Sequence, residues 1–79
     1  MKYYYEYKYK NGNMVGGSNL ETIDFLDKNI FPNHIRLLGV DILQTNYGFK
    51  EQHWATLLDM NEIEYLTIRP MLEEENDYV

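Results

Sequence analysis

Ser18-Asn19-Leu20-Glu21-Thr22-Ile23-Asp24-Phe25-Leu26-Asp27-Lys28-Asn29 is the one stretch of the chain that reads as a confident helix, and it sets the fold class. Ser18 and Glu21 stand in the capping-box relation: the serine side chain accepts from the backbone N–H three residues on, and the glutamate reaches back. Leu20, Ile23, Leu26 and Ile30 recur at helical spacing, with Glu21, Asp24, Asp27 and Lys28 mainly on the other side. Asn29 is a suitable end, and Pro32 forbids continuation. The pattern predicts a helix over residues 19–29.

Strands are expected on both sides of it. Downstream, Ile35-Arg36-Leu37-Leu38-Gly39-Val40-Asp41-Ile42-Leu43 is the most apolar run, six of its nine residues being Ile, Leu or Val. So short and branched a run reads as a buried strand. Leu38, Val40 and Ile42 fall on one face and Leu37, Gly39, Asp41 and Leu43 on the other, which places the strand mid-sheet with a helix over at least one face. Upstream, Tyr3, Tyr5, Tyr7 and Tyr9 alternate with Tyr4, Glu6, Lys8 and Lys10, the pattern of a half-buried strand. Asn11-Gly12 then signals a hairpin, because both residues tolerate positive φ. Its return strand is short, Met14-Val15, and Gly16-Gly17 ends it.

Beyond the apolar run, Thr45-Asn46-Tyr47-Gly48 is a turn. Residues 52–58 read as a strand by alternation, although a helix with Trp54, Leu57 and Leu58 on one face competes. Asp59-Met60-Asn61-Glu62 is a tight turn, and residues 63–69 form a strand that Pro70 ends. The expected order is β-β-α-β-β-β: an α+β two-layer sandwich, one helix on a four- to five-stranded, mainly antiparallel sheet. Residues 1–72 make the domain, and the acidic residues 73–79 are expected to be a disordered tail.

Bulk composition limits the function. The net charge is −6 and the pI about 4.7. Phosphate binding rests on Lys and Arg, so nucleic acid is not the default partner. The charge is uneven, +2 over residues 1–19 and −8 over residues 20–79. With no cysteine there is neither a disulfide nor a thiolate metal site. No apolar stretch approaches the ~20 residues of a membrane helix, and no secretory leader is visible.

Catalytic chemistry finds little support. His34 and His53 lack spaced partners of the H-E-x-x-H kind, so no metal or other cofactor is expected. Ser18, the sole serine, is accounted for by its cap role. Glu62 and Glu64 project together from a strand, as acid–base pairs do, but a solvated face is by far the better account of them. Asp41 needs a partner inside its apolar strand, Arg36 or Arg69 being the candidates. Gly16-Gly17-Ser18 before a helix is only faintly a phosphate loop, lacking the frame and the lysine. The tyrosine strand has three readings: a core cover, a protein interface, or a base-stacking surface in which Tyr4, Lys8 and Lys10 hold nucleic acid.

In size, acidity and lack of a catalytic set the chain is similar to small acidic proteins that imitate nucleic acid and inhibit restriction, CRISPR and repair enzymes. That likeness implies a non-enzymatic phage or mobile-element product, acting in the cytoplasm of a bacterial host cell. It would block the basic nucleic-acid site of a defence or DNA-processing protein. The residues expected to touch the partner are Glu51, Asp59, Glu62 and Glu64, then Asp24 and Asp27 on the helix. A self-associating subunit is a further reading, because an exposed edge at residues 2–10 would invite a homodimer.

Overall fold

Residues 1–72 are described by the computed structural model of the chain, and the tail expected over residues 73–79 lies outside them. They form five strands and one turn of 3-10 helix: β1 (Tyr3–Tyr9), β2 (Met14–Phe25), β3 (His34–Thr45), β4 (Gly48–Asp59), a 3-10 turn (Met60–Glu62) and β5 (Ile63–Pro70). All neighbours are antiparallel, in the order β4-β3-β2-β1-β5. The α+β sandwich is therefore corrected to an all-β sheet without a packed helix.

The stretch read as a helix is the second half of β2, and two irregularities explain the misreading. Between Gly17 and Leu20 the chain carries two residues where β1 carries one, and Asn19 there has φ 66°. Asparagine tolerates this left-handed backbone, which cannot start a helix. Two residues on, the register with β3 slips between Leu20 and Thr22. One extra residue resets the alternation, so Leu20 and Ile23, three apart, both pack on the core. A β-bulge thus reproduces helical spacing. Ladders with β1 and then β3 supply the hydrogen bonds that so short a helix needs to beat coil.

The other strands form where alternation placed them. At the β1–β2 turn Gly12 takes φ 98° and donates its N–H to Tyr9 O at 2.9 Å. Asp59 caps the 3-10 turn, its carboxylate accepting from Asn61 N at 3.0 Å.

The sheet is strongly coiled. Laid flat, β1 and β4 would lie about 14 Å apart, at ~4.8 Å per strand. Yet the Tyr5 and Trp54 rings sit 5.6 Å apart, and three residues suffice to join the two edge strands. The result is a partly open barrel. Each strand contributes one buried residue to its centre: Tyr7, Leu20, Leu37, Leu58 and Ile63. Tyr3, Tyr5 and Tyr9 pack against them, so the odd-numbered tyrosines of β1 line the core.

Burial, then the neighbouring Tyr9 and Tyr5, push the Tyr7 phenol above its usual pKa. The unfolded chain ionises this group near pH 10, before the folded one does. Its contribution to stability is intact below that pH and is lost as pH rises through the folded value. Urea midpoints measured across pH 9 to 11 should fall, and Tyr7→Phe should fall less steeply; equal slopes would contradict the assignment.

Candidate functional site

β3 and β4 pair without a break from His34–Asp59 out to Thr45–Gly48. β2 leaves this ladder at Gly39. Beyond it the two strands run on as a ribbon of six residues each, an arm of roughly 20 Å at ~3.3 Å per residue. The molecule measures 43 × 23 × 21 Å. Every residue from Ile42 to His53 is exposed. The tip is a two-residue turn, with Gly48 at φ 119° and Thr45 Oγ1 donating to Gly48 O at 2.9 Å.

The arm is unusually apolar for a solvated ribbon. Tyr47 is 100% exposed, Phe49 77% and Ile42 50%. Ile42 and Phe49 neighbour each other diagonally on the outer face of the arm, by their pairing with Glu51 and Gln44, while Leu57 lies on the same face at its base, opposite Arg36. Scattered apolar residues are ordinary on a surface, but a contiguous set on a projection marks a contact site. β4 is also an edge strand. The two-residue turn makes Thr45 and Gly48 a hydrogen-bonded pair, so alternate residues turn their backbone outward. Phe49, Glu51, His53, Ala55 and Leu57 therefore present N–H and C=O to the open side.

At the base of the arm two aromatic rings each cover a glycine across the ladder. A Cβ at Gly39 would meet Trp54 Cζ2 at 2.2 Å, and one at Gly17 the Tyr5 hydroxyl at 2.5 Å. Asp41 joins them: its Oδ1 accepts from Trp54 Nε1 at 3.2 Å and from Asn19 Nδ2 at 3.3 Å. Neither expected partner reaches it. Arg36 pairs with Asp24, and the Arg69 guanidinium lies over the Tyr4 ring at 4.6 Å. Tyr5, Gly17, Ser18, Asp41, Trp54 and Thr56 line a shallow cleft of ≈ 350 Å³. Ser18 is thus a wall of this cleft in β2, not a helix cap, and Gly16-Gly17-Ser18 precedes no helix.

The six acidic residues picked from sequence do not form one face. Asp24, in β2 and not on a helix, is tied to Arg36. Asp27 lies in the loop after it, its carboxylate accepting from Asn29 N at 2.9 Å. Asp59 caps the 3-10 turn, Glu62 lies within it, and Glu64 faces Lys8 at 3.6 Å. Glu51 stands apart on the arm, beside His53 at 3.7 Å. Eight steps along β4 carry it from Asp59, about 27 Å of strand, against a screening length of ~8 Å. Residues 1–72 carry nine acidic and seven basic side chains, a net of −2; the remaining −4 belongs to Glu73, Glu74, Glu75 and Asp77.

The alternative set is also engaged. Tyr4 and Lys8 lie on the outer side of β1, under Arg69 and against Glu64, and Lys10 follows at the turn. β1 lies between β2 and β5, so residues 2–10 are not the edge they were expected to be. His34 stacks edge-on against Phe31 at 5.5 Å.

Sequence reading passed over Tyr47, Phe49, Trp54 and Tyr5 as a site. The available signal was Gly39 inside the apolar run, answered by an aromatic on a neighbouring strand. Comparison with family models, with curated proteins and with solved structures gives no match.

Proposed function

We propose that the protein is a non-enzymatic binding module that takes up an extended segment of another protein as an added strand along the open edge of β4. One observation carries this reading: β4 offers a twelve-residue edge whose outward backbone groups fall at alternate residues from Phe49 to Leu57, both of which are exposed. Main-chain bonds along such an edge give affinity, and the alternating side chains give selectivity. A partner of basic character suits the chain's acidity. Inhibition by covering that partner's nucleic-acid site remains the outcome in keeping with the charge, now drawn more from residues 73–77 than from the barrel.

A second copy of the chain is the self-directed version of the same contact. An antiparallel β4 pair centred on His53 sets Phe49 of each copy across from Leu57 of the other.

Ala55→Pro tests the edge, because the lost N–H points away from β3 and the fold should persist. Peptides selected from a random display library against the protein should shift the amide signals of residues 49–57 and lose affinity at least tenfold for this variant. Peptides that bind elsewhere, untouched by the proline, would reject strand addition. Light scattering of the purified protein alone separates self-pairing from capture of a partner.

A further inference from the structure

The cleft at the base of the arm has a chemistry of its own. Asp41 is half-buried, and no basic side chain of the described residues lies within ion-pair distance of it. Lys2 Nζ donates to the carbonyl of the adjoining Val40 at 3.2 Å. Both internal donors, Trp54 Nε1 and Asn19 Nδ2, converge on Oδ1, and among the described residues Oδ2 has no partner. A carboxylate partly withdrawn from water without a counter-charge is costly, and a cation relieves that cost. The walls beside it are the Tyr5 and Trp54 rings, 5.6 Å apart and tilted by 44°. Aromatic faces attract cations, tryptophan most strongly. Glycine at 17 makes room for the Tyr5 ring, and Ser18 and Thr56 add hydroxyls to the lining.

We infer that this cleft binds an alkylammonium group, as carried by a lysine side chain, with Asp41 Oδ2 as the counter-ion and Tyr5 and Trp54 as the ring walls. This deepens the binding reading, which it rests on: the added strand would seat a basic side chain here while its backbone follows β4.

Trp54 is the sole tryptophan, so tryptophan emission, excited apart from the tyrosines, reports on this cleft alone. The full chain is titrated with N-acetyl-lysine methylamide and, separately, with the neutral norleucine analogue. Asp41→Asn is the decisive variant, since its amide oxygen still accepts from Trp54 and Asn19 while the charge is gone. Saturable change of Trp54 emission is expected with the lysine probe at millimolar concentration and not with norleucine, weakened at least tenfold in Asp41→Asn with the circular dichroism spectrum unchanged. No saturable change at about 50 mM, far above the millimolar constants of single side-chain contacts, would overturn the inference. So would equal binding of norleucine, or full binding by Asp41→Asn. Ala55→Pro should leave the lysine response intact, so failure of the edge and failure of the cleft are told apart.

Discussion

Gly39→Ala should destabilise the protein by about 3 kcal/mol, the upper end of overpacking costs. The added Cβ would lie 2.2 Å from Trp54 Cζ2, 2.4 Å from Cε2 and 2.5 Å from the Asn19 carbonyl oxygen. The indole can swing aside only by giving up its bond to Asp41 and its contact with Tyr5. The carbonyl is backbone, fixed in the bend where Asn19 already holds φ 66°. A chain of this length has only about 4–12 kcal/mol in total, so such a loss shows clearly in a urea midpoint. Trp54 emission should move in the same variant. Gly12→Ala is the control: nothing lies within 4 Å of its Cβ, and only the positive φ resists, at about 1 kcal/mol. Equal midpoints for wild type and Gly39→Ala would show that the ring does not lie over Gly39.

Leu37→Ala should cost about 3–4 kcal/mol. Leu37 is 0% exposed and sits on β3, among single buried side chains from the other four strands. With so few fully buried residues, neighbours cannot close around the lost volume, and the cavity penalty adds to the lost transfer energy. Leu57→Ala, on the outer face of β4 and 53% exposed, should cost less than about 1 kcal/mol. The two leucines are alike in type and opposite in face, so similar losses on denaturation would place the core wrongly.

The strands were legible wherever side chains kept a period of two. The tyrosine run, the apolar run at 35–43 and the segment 63–69 all became strands, and Asn11-Gly12 became a turn. Residues 52–58 were ambiguous and resolved as strand for the same reason. The segment 18–29 was misread because bulges break that period. Leu20 and Ile23 share a face through an inserted residue, and sequence spacing alone cannot tell that from a helical turn. The candidate site was less legible still. Glu51 and Asp59 look adjacent as charges in sequence, but a strand carries them apart. Asp41, Trp54 and Tyr5 come from three strands, and only the coiling of the sheet brings them together.

Pairing of β1 with β5 also has a consequence in time. Tyr3 lies opposite Pro70, so the two partners of this ladder are 67 residues apart in the chain. β2, β3 and β4 can begin as local hairpins, but β1 has no second neighbour until β5 exists. A nascent chain on the ribosome therefore holds the tyrosine strand half-unpaired until almost all of the barrel has emerged. Ladders that close over such long contact order form slowly, on the millisecond-to-second scale of β-barrels. During that wait the tyrosines, not the arm, are the surface most exposed to wrong partners.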